Sequence, residues 1–261
     1  MMLSLLLVTM PATPMESTLE ERRELLQDKD EDLTSLSPED YQRRAKEAYE
    51  QATSYLKRGL GIEASASFRE VMEKYPFSTY ATEAELGAAE AEGIQGNSEA
   101  AIAAFTRFIE QHPTHPRLVE ARYGIIKVLE EQWPSDFFLL PPPHERDLED
   151  VEATVLALSV FFRHHADDER VEALKGLRLK AWELLVKRQF YLARWNARQG
   201  RLRAALRRVE SARQRYPNVS EDPEDTEWVK DLRRRAQSEK VEVKAPELHP
   251  ARSAFQTEPS P

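Results

Sequence analysis

The chain has 261 residues, 41% apolar and 32% charged, with a formal net charge of −9. It contains no cysteine, which excludes disulfides, thiol nucleophiles and cysteine-based zinc sites within these residues. Long stretches rich in Ala, Glu, Leu and Arg, without glycine-rich hairpin turns or alternating apolar strands, predict an all-α chain.

Residues 1–36 read as an apolar tip followed by an acidic tether. The run Leu3-Ser4-Leu5-Leu6-Leu7-Val8 is too short to span a bilayer. It is just long enough for the core of an export signal, but no Lys or Arg precedes it and no small-x-small cleavage site follows. Ser37-Pro38-Glu39-Asp40 then predicts a helix start: Ser as N-cap, Pro in the first turn, acids at the positive end of the dipole. This helix is expected to reach about Arg58, with a partner over 63–74. A second pair is expected over 79–95 and 98–111. A further helix follows His115-Pro116, where Ala121 and Gly124 repeat the spacing of Ala84 and Gly87.

After Trp133 the pattern breaks. Pro134-Ser135-Asp136-Phe137-Phe138-Leu139-Leu140 and the prolines Pro141 to Pro143 cannot continue a helix. An apolar loop of this kind folds back on its own scaffold or meets a partner. Helices resume over about 146–164 and then 168–199, the latter a single long helix of about 48 Å shared between neighbouring repeats. Another pair-half spans 202–216 and a last helix 224–238. Residues 241–261, with several prolines and few apolar side chains, are expected to be disordered.

Three segments share one signature: Ala52-Gly59-Ala64-Pro76, Ala89-Gly96-Ala101-Pro113 and Ala193-Gly200-Ala205-Pro217. Small Ala residues let two antiparallel helices approach. Glycine falls where the first helix ends and favours positive φ. Proline ends the second helix because it cannot donate the next backbone bond. Phe68 and Phe105 sit four residues after the second Ala, on the same helix face. This is a tetratricopeptide pattern, in which helical hairpins bury their apolar faces only by stacking on neighbours. Four to five such hairpins over 37–240 are expected, in a solenoid that binds proteins.

Charge is lopsided. Between Glu16 and Glu50 there are twelve acidic and six basic residues; between Lys175 and Arg215 there are thirteen basic residues against Glu183 and Glu210. The asymmetry suggests two functional surfaces, or alternatively a solvated arginine-rich face.

Glu73-Lys74-Tyr75-Pro76-Phe77-Ser78-Thr79-Tyr80-Ala81 resembles a "YPFSPYA" segment of the BamD family, and Arg107-Phe108-Ile109-Glu110-Gln111-His112-Pro113-Thr114-His115-Pro116 resembles its "RFIxxHPxHP". The loop ending Glu145-Arg146-Asp147 resembles that family's repeat-three insertion. Phe190-Tyr191-Leu192-Ala193-Arg194-Trp195, with Gly200, Ala204, Ala205, Arg208 and Tyr216-Pro217, is similar to its long helix and following hairpin. The resemblance spans about Ser37 to Pro217. It implies a five-repeat, non-catalytic scaffold of the outer-membrane β-barrel assembly machinery, peripheral to the outer membrane on its periplasmic face. It further implies docking of a BamA-type POTRA domain by the C-terminal half, a groove for unfolded outer-membrane proteins in the N-terminal repeats, and contacts with other assembly subunits. On this basis Arg194, Arg198 and Arg208 are expected to face an acidic POTRA patch. Two departures stand out: family members carry a lipidated cysteine after the signal, and their tenth helix has no apolar counterpart after Lys240. The first leaves open a true start upstream of Met1, or a protein that is soluble or held by partners alone.

Tyr80 and Arg122, near the start of their repeats' first helices, are the groove candidates; Tyr55, Phe68, Phe105, Phe108 and Tyr123 read as inter-helix packing. His112, His115, His164 and His165 with Asp167 and Asp168 have zinc-type ligands, but stand at helix-to-helix turns and are read as turn residues, with no metal or cofactor expected. The basic stretch with Tyr191 and Trp195 is read as a helical face, not a nucleic-acid site. No nucleophile motif, phosphate loop or HExxH spacing argues for an enzyme. The alternatives are a periplasmic tetratricopeptide adaptor in another envelope or division complex, and a cytoplasmic scaffold.

Overall fold

A computed structural model describes residues 36–238. The apolar run, most of the acidic tether and the tail from 241 lie outside the described residues. Within them there are nine α-helices and one 3-10 turn. The helices are α1 (Pro38–Lys57), α2 (Gly61–Lys74), α3 (Thr79–Ile94), α4 (Ser98–Gln111), α5 (Leu118–Glu131), α6 (Glu149–His164), α7 (Val171–Arg198), α8 (Leu202–Arg215) and α9 (Pro223–Ser238), with the 3-10 turn at Pro143–Glu145. The chain is an all-α helical repeat fold. It divides into two compact units between Val128 and Leu129, inside the last turns of α5.

Local chemistry explains where the helices begin and end. Ser37 caps α1, its side chain accepting from the Asp40 amide, and Ser78 caps α3 through the Ala81 amide. Gly59, Gly96 and Gly200 have φ of 72°, 79° and 74°, as the repeated signature requires. Each closes a Schellman turn: the amides of Leu60, Asn97 and Arg201 donate to the carbonyls of Tyr55, Glu92 and Asn196. The second helices stop at Tyr75, His112 and Tyr216, each just before proline. The helix α6 stops in the same way at His165, although Ala166 stands where the others have proline.

In the first unit, α2 packs on both α1 and α3, and α4 on α3. One core is built from Ala52, Ala64, Phe68, Val71, Ala84 and Ala91, and the next from Leu86, Ala89, Ala101, Phe105, Phe108, Ala121 and Val128. Glycine serves close packing at two equivalent places. A Cβ on Gly87 would lie 2.4 Å from the Phe68 ring, and one on Gly124 would lie 2.4 Å from the Phe105 ring. The small residues therefore form seats for the two buried phenylalanines.

The second unit holds α6 to α9 around one core that runs from Leu148 and Val151 through Ala181, Leu185, Phe190 and Ala193 to Val209, Val229 and Leu232. The Trp133 indole nitrogen donates to the Thr154 hydroxyl at 2.9 Å, fixing the chain before the loop onto α6. The long helix is shorter than its sequence suggests. It begins at Val171, not at residue 168, and its 28 residues span about 42 Å. The cause is Asp168, whose carboxylate accepts from the Arg170 amide and both sides of its guanidinium, holding the chain in a turn before the helix.

Candidate functional site

Two side-chain assemblies, one in each unit, could meet a partner. In the first unit, the first helices of successive hairpins carry Tyr49 and Tyr80, whose rings lie 5.5 Å apart. Arg117, just before α5, gathers polar groups from elsewhere in the unit. Its guanidinium donates to Glu83 and to the Tyr49 hydroxyl (3.3 Å), and lies 3.7 Å from Glu90. Burial opposes the Arg117 cation, but the hydrogen bond and charge of Glu83, helped by Tyr49, hold its pKa above the ordinary value. Burial pushes the Glu90 carboxyl up; Arg117 pulls it back and Glu120 adds to the rise.

Tyr80 therefore sits half-buried on α3 against Tyr49, and Arg122 lies half-buried on α5. The sequence singles out neither Tyr49 nor Arg117, because the contact that joins them spans 68 positions. Their only sequence sign was a tyrosine on the first helix and an arginine following the His-Pro turn. His112 and His115 stand beside them, engaged by α3: His112 Nε2 is 2.9 Å from Glu85, and His115 Nε2 is 3.6 Å from Glu83. Both imidazoles also pack on the Phe108 ring at 5.0 and 5.2 Å.

In the second unit, Gln189 and Asn196, seven residues apart and so on one face of α7, face α8 across an open pocket of about 470 Å³. Arg207, Arg208 and Arg215 line it. The Arg208 guanidinium donates to Gln189 Oε1 at 2.8 Å, and Arg215 lies over the Tyr216 ring. None of these three arginines pairs with a carboxylate among the described residues. The acid on α8, Glu210, is engaged by Arg233, and Glu221 holds Arg213 by two bonds of 2.6 Å.

The three expected docking arginines are not brought together. Arg208 is in the pocket. Arg194 turns the other way, donating to Asp225 of α9 with its guanidinium over the Trp228 ring at 4.7 Å. Arg198 is exposed at the last turn of α7 and does not line the pocket. Arg207 and Arg215 line the pocket beside Arg208; their sequence sign is the i, i+1 and i, i+7 spacing around Arg208 on one helix.

No helix of the described residues is long and apolar enough to cross a membrane. No curated protein matches the chain. A family profile described as "YfiO: Outer membrane lipoprotein" matches residues 41–247, which takes in every described helix but the first turn of α1. The chain is a member of the YfiO family of outer membrane lipoproteins.

Proposed function

We propose that the protein is a non-catalytic scaffold of outer-membrane β-barrel assembly, working at the periplasmic face of the outer membrane. Its second unit docks a BamA-type POTRA domain and its first unit receives unfolded outer-membrane proteins. The observation that carries this reading is the α8 pocket, where three arginines stand without a carboxylate partner among the described residues. Guanidinium groups with no carboxylate partner among the described residues, beside the amide of Gln189, suit an acidic protein surface, with charge steering the encounter. In the first unit, the paired rings of Tyr49 and Tyr80 and the polar groups round Arg117 supply aromatic and charged contacts of the kind that hold an extended peptide. Family membership supports the outer-membrane setting.

The test is co-purification with the BamA-type protein of the same organism. Arg208→Glu is expected to cut recovery sharply while leaving the helical content and Tm unchanged. Equal recovery of the parent and Arg208→Glu would remove the docking surface. Recovery of a different envelope complex, without any barrel protein, would support the adaptor reading in its place.

A further inference from the structure

The loop between α5 and α6 packs its base on α7 but leaves the apolar residues of its tip in solvent. Phe138 is 84% exposed and Leu139 72%, between Phe137 at 49% and Leu140 at 48%. Single exposed apolar residues are ordinary, whereas four in succession on one tip mark an interaction site. The tip is a built turn: the Leu140 amide donates to the Phe137 carbonyl at 2.9 Å, which places Phe138 and Leu139 at its two corners. The two phenylalanine rings pack on each other at 5.1 Å.

Its base is fixed at both ends. The Arg146 guanidinium donates to the Ser135 carbonyl across the neck of the loop. Three prolines stiffen the descending side and lead into the 3-10 turn, where the His144 carbonyl accepts from Arg188 at 3.2 Å and the His144 ring meets Tyr191 edge-on. The tip is thus presented in an ordered form, so little conformational entropy remains to be lost on binding.

The tip and the arginine pocket are joined through α7. Arg188 holds the loop's base, and the next residue, Gln189, holds Arg208. A second cleft, lined by Asp147, Glu149 and Glu152 with the single cation Arg188, runs from the loop's end to Gln189, which lines both cavities. The second unit therefore carries an apolar projection, then acids, then arginines with no carboxylate partner among the described residues, in continuous order.

We propose that these form one bipartite grip on a single folded partner domain, which presents an apolar hollow for Phe138 and Leu139 and a carboxylate cluster for the α8 arginines. This rests on the proposed docking of a POTRA domain and assigns the apolar half of that contact. The carboxylates of Asp147, Glu149 and Glu152 between the two halves disfavour an anionic bilayer as the occupant, because they would face its phosphates, and suit a protein of mixed charge.

The two halves should differ in kinetics. Aromatic anchors in a desolvated hollow set dissociation, whereas peripheral charges set encounter and salt dependence. The experiment uses the full chain and the purified POTRA domains of the BamA-type protein as probe, with rates measured at low and high salt. Phe138→Ser with Leu139→Ser, at an exposed tip where folding is unaffected, is expected to weaken binding roughly tenfold or more, mainly through faster dissociation. Its salt dependence should match that of the parent. Arg208→Glu should slow association and flatten the salt dependence. If the tip variant binds like the parent while Arg208→Glu weakens, the bipartite grip is overturned and the docking reading survives. If neither variant weakens binding, both fall. Loss of flotation with phosphatidylethanolamine–phosphatidylglycerol vesicles by the tip variant, with POTRA binding intact, would assign the tip to lipid and overturn the proposal.

Discussion

The Phe68 ring lies where a side chain on Gly87 would have to be, with its Cζ 2.4 Å from the ideal Cβ position. Phe68 is 1% exposed, so its ring has no free space to swing into. Gly87→Ala is therefore expected to destabilise the protein by about 1–3 kcal/mol through overpacking. Chemical denaturation followed by circular dichroism measures this. Phe68→Leu in the same chain should recover part of the loss, since the two changes share one seat. Gly124→Ala against Phe105 should behave alike.

Two other glycines give opposite signs for one substitution. Gly96 has φ of 79° with open space around it, so Gly96→Ala suffers from backbone conformation alone and should cost about 1–2 kcal/mol. Gly176, exposed inside α7 with nothing near its Cβ position, should gain up to about 1 kcal/mol as Ala from helix propensity. Melting temperatures of the two variants falling on the same side of the parent would refute this account.

Arg117 offsets the charges of Glu83 and Glu90, and burial has already raised the Glu90 carboxyl. An acid whose folded pKa is raised favours the folded state when protonated and penalises it when ionised. Arg117→Gln should raise Glu90 further and cost roughly 1–3 kcal/mol at neutral pH. The deficit relative to the parent should shrink as pH falls through the titration of Glu90. A deficit independent of pH would mean that lost packing, not charge, is responsible.

Asp168 has the opposite linkage. The hydrogen bonds from the Arg170 side chain, assisted by its amide, pull the carboxyl from 3.8 down to about 2. A lowered folded pKa contributes stability that is present above the unfolded value and lost as pH falls from about 4 towards 2. Asp168→Asn should therefore be less stable than the parent at pH 7, with the two curves converging at the acid end of that window. Thermal melts at successive pH values provide the check.

Much of this architecture was legible in the chain itself, where the determining contacts are local. Gly59, Gly96 and Gly200 marked helix ends because a Schellman turn involves residues at most five apart. Ser37 and Ser78 marked helix starts for the same reason. Phe68 and Phe105 were legible as core because a helix repeats its buried face every three or four residues. The start of α7 lies three residues beyond Asp168, through which the periodic pattern extends, because the Asp168–Arg170 pairing holds the chain in a turn there.

The functional surfaces needed the tertiary structure. Arg117 meets Tyr49 from 68 positions away and Glu83 from 34, distances over which no sequence period operates. Arg194 and Arg208 share a basic stretch, yet Asp225 draws one guanidinium towards α9 while Gln189 holds the other in the pocket. The sequence by itself determined the helices, their ends and their buried faces, because those follow from backbone bonds and spacing along one chain segment. Which arginines meet a carboxylate among the described residues, and whether Phe137 to Leu140 find a hollow or stay in water, was decided only by packing. Both depend on what distant segments place within a few ångströms.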